Sequence, residues 1–159
     1  VAVTIEGTRP ILVEVQALVD RSPSNSPRRL TVGIEQNRVA MLIAVLSRHA
    51  NISSGGYDIF ANIVGGMRVT ETGVDLPILL AILSSLKDKS FPADTVCFGE
   101  IGLVGEVRPV NGGTERLKEA WKQGFRKAIV PRGNVPKDLP SNVEVTVINR
   151  LVDALKFIQ

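Results

Sequence analysis

The sequence predicts one mixed α/β domain, and three observations support that fold class. The chain has 159 residues, which is an ordinary size for a single domain. Segments with alternating apolar residues are interspersed with segments of helical periodicity, and several neighbouring strands are joined by short turns. We therefore expect a mixed sheet with flanking helices over residues 1–159, and not a doubly wound parallel sheet.

The first half of the chain predicts four strands and one helix. The expected strands are residues 1–6, 11–19, 29–34 and 57–64. Two prolines and three serines between the second and third of these strands predict an irregular polar loop. A helix over 35–50 is expected because four apolar residues have the 3, 4 and 7 spacing of one helical face: Val39, Leu42, Ile43 and Leu46. We expect His49 near the end of this helix, where positive charge suits the helix dipole.

The second half predicts three helices, three strands and a hairpin. The expected helices are residues 75–86, 114–123 and 151–158. Pro77 is acceptable only in the first turn of a helix, so the first of them must begin near Val74 or Asp75. Gly124 ends the second helix. The expected strands are residues 95–99, 126–130 and 143–148, with a glycine-punctuated hairpin over 102–110.

Composition argues against several classes of protein. Cys97 is the one cysteine, so no intrachain disulfide can form, and its apolar neighbours predict a buried, unreactive thiol in a cytoplasmic protein. His49 is the one histidine, which argues against a histidine-based triad or a His-rich metal site, and we expect no metal in this domain. No apolar run is long enough to span a bilayer and no signal peptide is visible, so we expect no membrane association.

The glycines do not form a nucleotide-binding motif. No Gly-Lys pair is present, so the Walker A loop is absent, and the even spacing of Gly99, Gly102 and Gly105 does not fit the dinucleotide fingerprint. The pair at residues 112–113 precedes a helix and leaves two interpretations open, which are an anion site on free backbone amides and a tight turn. We expect no cofactor in this domain.

Two segments, residues 69–77 and 99–117, resemble the proteolytic domain of the Lon family. That family places a nucleophilic serine in the first segment and a lysine base in the second, on a Lon-protease-like (ribosomal protein S5 domain 2-like) fold. Asp75 and Thr114 stand at the matching positions here, so the resemblance implies the scaffold without its catalytic dyad. The next lysine, Lys118, has no evident nucleophile to serve. An active peptidase with an atypical nucleophile is the alternative interpretation from the enzyme class.

Further blocks of the chain resemble the C-terminal domain of the RadA family of bacterial DNA-repair proteins. They are residues 7–10, 13–19, 27–29, 33–38, 64–72 and 98–103. The resemblance implies a fragment of a DNA-dependent ATPase or helicase, whose zinc-finger and RecA-like ATPase domains, with their ATP, Mg and Zn, lie outside this chain. It also implies a homo-hexamer that acts in recombination and repair of damaged DNA, binds single-stranded or branched DNA without sequence preference, and works with a recombinase.

Five arginines are candidates for a DNA-facing surface, because each lies near a glycine, a proline or the end of an element. They are Arg9, Arg28, Arg38, Arg68 and Arg108. A guanidinium group stays charged and donates two hydrogen bonds side by side, which suits phosphate, and the net charge of +3 permits a local basic patch. Solvated charges and subunit contacts are the alternative interpretations of single arginines. A purely architectural oligomerisation module is a third interpretation of the whole domain.

Overall fold

A computed structural model describes residues 1–158 and shows two mixed sheets and a short hairpin. The strands are β1 Ala2–Glu6, β2 Arg9–Val13, β3 Val15–Arg21, β4 Arg29–Val32, β5 Tyr57–Ile63, β6 Thr95–Cys97, β7 Glu100–Ile101, β8 Val107–Arg108, β9 Lys127–Pro131 and β10 Glu144–Ile148. The central sheet has the order β10-β9-β6-β1-β2, in which only β2 runs antiparallel to its neighbour. The second sheet has the order β3-β5-β4, and β7 pairs with β8. The predicted mixed α/β class is confirmed.

The helices begin and end close to the predicted residues. They are α1 Gln36–His49, α2 Asp75–Leu86, α3 Gly113–Lys122 and α4 Leu151–Ala154, with 3-10 turns at Thr72–Val74, Arg132–Asn134 and Leu155–Ile158. Pro77 lies in the first turn of α2, and His49 is the last residue of α1, as predicted. Over residues 1–158, every helix falls short of the length and apolar character that a bilayer crossing needs.

The strand predicted over residues 11–19 is in fact two strands. It is divided at Glu14, so that β2 belongs to the central sheet and β3 to the second sheet. The carbonyl oxygen of Glu14 accepts a hydrogen bond from the N–H of Val64 at 3.0 Å. The sequence does not reveal this division because apolar residues alternate across it without interruption.

Several predicted strand ends are shifted by one or two residues, and two further segments differ from the sequence-based expectation. The hairpin begins at Glu100, two residues before the predicted start, and Gly102 and Gly105 form its turn, with the N–H of Gly105 donating to the Gly102 oxygen at 3.0 Å. The helix predicted over 151–158 is α-helical for four residues and ends as the 3-10 turn Leu155–Ile158. Apolar periodicity indicates which face of such a segment is buried, but it does not fix the hydrogen-bond register.

Two apolar cores lie on opposite faces of the central sheet. On one face, α3 packs through Leu117 and Ala120 against residues that include Phe98. On the other face, α1, α2 and α4 share a core with the second sheet. Cys97 belongs to this second core, and burial raises the pKa of its thiol to about 11, which confirms the predicted buried thiol.

Two glycines with positive φ differ sharply in the space around them. Gly33 (φ 80°) follows β4, and a Cβ atom there would lie 2.5 Å from the carbonyl oxygen of Met67. Gly7 (φ 64°) lies in the β1–β2 turn, and a Cβ atom there would meet no atom within 4 Å. The two positions therefore separate the cost of a left-handed backbone from the cost of a steric clash.

We expect Gly7→Ala to lower the free energy of unfolding by about 1–2 kcal/mol, which is the cost of left-handed alanine. Gly33→Ala bears the same cost and a clash with backbone, so its loss should exceed that of Gly7→Ala by about 1–3 kcal/mol. Urea unfolding followed by circular dichroism measures both losses. Equal losses would mean that the Met67 segment moves aside for the added methyl group.

Candidate functional site

The two positions that match the missing dyad lie in different environments. Asp75 is the first residue of α2 and is completely buried. Thr114 lies in the first turn of α3, where it is exposed and lines a pocket with Trp121. The position that matches the serine therefore holds a fully buried carboxylate, and the position that matches the lysine holds a hydroxyl group on the surface.

Asp75 is held by a buried ion pair. The Nε atom of Arg38 donates to Oδ1 of Asp75 at 2.7 Å, and Nη2 of Arg38 donates to Oδ2. The backbone N–H of Ile101 also donates to Oδ2, at 3.0 Å. This one carboxylate therefore connects α1, α2 and the β7–β8 hairpin.

The charge state of Asp75 is set by opposing effects. Burial raises the pKa of Asp75 above its ordinary value, while the hydrogen bonds from Arg38 and Ile101 act in the lowering direction. The same contact raises the pKa of Arg38. The Arg38 side chain is only 26% exposed, and Asp75 balances its positive charge.

A second ion pair joins Glu71, which immediately precedes the 3-10 turn before α2, to Arg116 of α3. Arg116 is 1% exposed, and its Nη1 and Nη2 atoms donate to the two carboxylate oxygens of Glu71 at 2.6 and 2.8 Å. Nη1 also donates to the carbonyl oxygen of Val3 at 2.7 Å, and Nε donates to that of Asn111 at 2.9 Å. The guanidinium carbon lies 5.4 Å from the centroid of the Phe98 ring. Four of the five N–H groups of this buried cation are thereby satisfied.

Glu71 is satisfied from several sides as well. It accepts hydrogen bonds from the Thr4 hydroxyl at 3.0 Å and from the N–H of Gly73 at 3.3 Å. Burial by itself raises the pKa of Glu71, but the hydrogen bonds and charge of Arg116 outweigh it, so the net pKa lies below the ordinary value.

Glu71 and Arg116 were not predicted as site residues from the sequence. A signal for Arg116 was present, because it occupies a position on the buried face of α3 together with Gly113, Leu117 and Ala120. A charged residue at such a position requires a buried partner. Nothing in the local sequence indicates that the partner is Glu71, which is 45 residues away.

The predicted DNA-facing arginines differ in how far their charge is balanced. Arg9 and Arg68 are exposed, and within residues 1–158 neither forms an ion pair. Arg28 is exposed, and its Nε lies 3.9 Å from Asp58. Arg108 is 59% exposed and lies 3.6 to 3.8 Å from two carboxylates, those of Glu106 and Glu100. Of the predicted residues, only Arg38 and Asp75 are brought into direct contact.

A groove of about 880 Å³ runs between α2 and β3, away from these residues. Its walls combine apolar side chains such as Leu18 and Phe60 with polar ones such as Asn62, Ser84 and Asp88. Over the described part of the chain, no three His, Cys, Asp or Glu side chains come together as a metal site would require. The charged groups of the candidate site are therefore organised as ion pairs.

We expect Arg116→Met to lower the free energy of unfolding by about 3–5 kcal/mol, because Glu71 then remains in a partly buried site without its partner. The exposed Arg126 is the matched control, since within residues 1–158 its side chain donates only to the carbonyl oxygens of Trp121 and Phe125. Arg126→Met should change stability by about 0.5 kcal/mol or less. Chemical denaturation measures both variants, and similar losses would contradict a structural role for the buried pair.

The pH dependence of stability should carry the signature of Glu71. Its folded pKa lies below the ordinary value of 4.5, so its contribution is complete above pH 4.5 and is lost as the pH falls through the folded pKa. We therefore expect stability to fall more steeply below pH 4.5 in the wild type than in Glu71→Gln. Thermal melts between pH 7 and pH 3 test this, and parallel curves would contradict it.

The chain is similar to known proteins across this region and beyond it. The family model described as subunit ChlI of Mg-chelatase matches residues 64–134, which contain Glu71, Asp75, Thr114 and Arg116. The protein named DNA repair protein RadA of Escherichia coli (strain K12) is 56% identical over 155 residues, covering 98% of this chain and 34% of that protein. The proteins of the same name from Pseudomonas aeruginosa and Mycobacterium tuberculosis are 55% and 41% identical, over 98% and 99% of this chain and 34% and 32% of those proteins.

The chain spans about a third of the length of the curated relatives that it matches. Identity above one half over nearly all of the chain reflects common descent. The chain is therefore homologous to one segment of bacterial proteins named DNA repair protein RadA.

Proposed function

We propose that this chain is a non-catalytic, Lon-protease-like domain of a RadA-type DNA repair and recombination ATPase. Its role is to support assembly of a homo-hexameric ring and to bind DNA without sequence preference. The observation that carries the non-catalytic part is the state of Asp75, which is completely buried and hydrogen bonded through both carboxylate oxygens.

Peptidase chemistry needs an accessible nucleophile beside a base. Asp75 has no exposed surface, and its two oxygens already accept hydrogen bonds from Arg38 and Ile101. The residue at the lysine position, Thr114, has no amine, and the exposed Lys118 lines a separate pocket that does not include Asp75. The groups available at this site therefore favour structural support over cleavage.

The exposure of single arginines supports the DNA-binding part of the proposal. Four of the candidate arginines are exposed, namely Arg9, Arg28, Arg68 and Arg108. Arg38 is different, because Asp75 already balances its charge, so its part in phosphate binding is the smallest of the five. Contacts of this kind position a nucleic-acid backbone and do not read its sequence.

The rest of the proposed activity belongs outside this chain. The match covers 34% of the Escherichia coli relative, so about two thirds of that protein lies outside the matched segment. We assign to those parts the ATPase with its ATP and Mg and the zinc site, and we place the whole protein in the cytoplasm with a recombinase as partner. In a ring of six copies, each weak contact with DNA gains from the high effective concentration of its neighbours.

The proposal predicts how DNA affinity depends on salt. Four phosphate contacts give a slope of log K against log salt of about −3.6 on duplex DNA and about −2.8 on a single strand, which are roughly 150-fold and 50-fold losses of affinity between 50 and 200 mM salt. Fluorescence anisotropy with a labelled single strand and a labelled branched duplex measures the slope. Arg68→Ala should reduce its magnitude by about 1, whereas Arg126→Ala serves as the matched exposed control and should leave it unchanged.

The same preparations distinguish the alternative functions. Purified chain incubated with casein should give no cleavage products on a gel. Cleavage that is abolished in Asp75→Ala, while circular dichroism shows that the variant is still folded, would establish the peptidase instead. Hexamers in light scattering without any DNA binding at 50 mM salt would leave only the architectural role.

A further inference from the structure

The second sheet has an unpaired edge along β3. This strand is the outermost in the order β3-β5-β4, so only one of its sides is bonded to a neighbouring strand. On the bonded side, the N–H of Val64 donates to the carbonyl oxygen of Glu14 at 3.0 Å. Every second residue of an antiparallel strand bonds to the same neighbour. The residues that direct their N–H and C=O groups away from β5 are therefore Val15, Ala17 and Val19.

The unpaired edge opens into the groove between α2 and β3. Val15 and Ala17 line this groove, with Ala81 of α2 on another wall. Within residues 1–158, no hydrogen bond is formed by the backbone groups that Val15 and Ala17 turn away from β5. The N–H of Val19 is different, because it donates to the Ser85 hydroxyl at 2.8 Å. The open edge of β3 therefore covers residues 15–17 and ends where Ser85 of α2 meets the strand.

The central sheet brings the start of β1 to the same groove. Val1 lies in the groove lining, and the antiparallel register of β1 with β2 sets Ala2 opposite Val13. The carbonyl oxygen of Val1 accepts from the N–H of Cys97 in β6 at 3.0 Å, so Val1 turns its backbone groups away from β2. By strand alternation, a residue joined to the Val1 nitrogen turns its backbone groups to the opposite side. The same register, continued by one step, places that residue opposite Val15.

The polypeptide outside this chain can supply an occupant for the open edge. The match with the Escherichia coli relative covers 34% of that protein, so proteins of this kind continue beyond the matched segment. A segment joined to Val1 is tethered at the mouth of the groove. It therefore reaches the open edge at high effective concentration and avoids the association cost that a separate peptide bears.

We propose that, in the longer protein, the segment preceding Val1 adds to the open edge of β3 as an antiparallel strand. The first residue before Val1 pairs with Val15 and the third pairs with Ala17, each through main-chain hydrogen bonds. The added strand is about three residues long, because Ser85 already occupies the N–H of Val19. This inference rests on the proposed function only in taking the chain as one part of a longer protein.

The pleat of the sheet decides which side chains of the added strand are buried. Residues directly opposite each other share one face of a sheet. The first and third residues before Val1 therefore lie on the face of Val15 and Ala17, which pack against the core, so we expect them to be uncharged. The second residue lies on the face of the exposed Gln16 and Leu18. Such a strand anchors the preceding part of the protein beside α2.

Amide hydrogen exchange tests the added strand. The 159-residue chain is compared with a version that is extended by the native residues before Val1. The N–H groups of Val15 and Ala17 face the groove in the shorter chain, and they should exchange about tenfold or more slowly in the extended one. The amides of β4, at the opposite edge of the same sheet, are the internal control and should exchange equally in both chains.

A filled groove provides a matched pair of variants. Ala81 lies on the groove wall in α2, so Ala81→Phe should exclude the added strand. In the extended chain this variant should return the exchange of Val15 and Ala17 to the rate of the 159-residue chain. Ala40 is exposed on α1, and Ala40→Phe is the control that should keep the slow exchange. Circular dichroism checks that both variants are folded.

Cysteine cross-linking tests the register without filling the groove. The second residue before Val1 lies opposite Gln16 in a pair without mutual hydrogen bonds, where a Cα separation of about 4.5 Å permits a disulfide. A cysteine at that residue should form a disulfide with Gln16→Cys in the extended chain under mild oxidation. Asp20→Cys lies on the same face of β3 but about 13 Å further along, so it should not react. The native Cys97 is buried with a thiol pKa of about 11, so it does not compete.

The outcomes separate this inference from the proposed function. Equal exchange of Val15 and Ala17 in the two chains, or a disulfide with Asp20→Cys in place of Gln16→Cys, would overturn the added strand. Protection that appears in the 159-residue chain only at high concentration would assign the edge to a second copy and would also overturn it. Failure of the 159-residue chain to form hexamers or bind DNA would remove the proposed function and leave the exchange and cross-linking results in force.

Discussion

The buried carboxylate of Asp75 is the constraint on which much of the structure depends. It receives hydrogen bonds from Arg38 in α1 and from the backbone of Ile101 in the hairpin, while it begins α2 itself. A charged group without solvent is tolerated only when it is paired and hydrogen bonded. Three elements must therefore meet at one point for this residue to be accommodated, which fixes how α1, α2 and the hairpin are arranged.

That single arrangement has consequences for several surfaces. It leaves Asp75 without any exposed surface, and it withdraws most of the charge of Arg38 from solvent. It also holds β7, so that the hairpin projects its tip from a fixed base. The second pair, Glu71 with Arg116, fixes α3 against β1 in the same manner. A site organised as two ion pairs is suited to holding elements together.

Local patterns in the sequence predict most of the elements, because strand alternation and helical periodicity are properties of neighbouring residues. Pro77 located the start of α2, and the apolar neighbours of Cys97 predicted its burial. The division at Glu14 was not predictable in this way, because alternation continues through it while the chain passes from one sheet to another. Residue identity alone shows that Asp75 and Thr114 stand where the resemblance would place a serine and a lysine.

The sequence by itself thus determined the mixed α/β class and the order of most of its elements. Only the tertiary structure decided the partners of the buried charges, because Arg38 and Asp75 are 37 residues apart and Glu71 and Arg116 are 45 apart. Periodicity extends over one element, whereas an ion pair depends on how distant elements pack. The tertiary structure alone also separated the arginines with balanced charge from those that remain exposed, since that difference depends on neighbours in space.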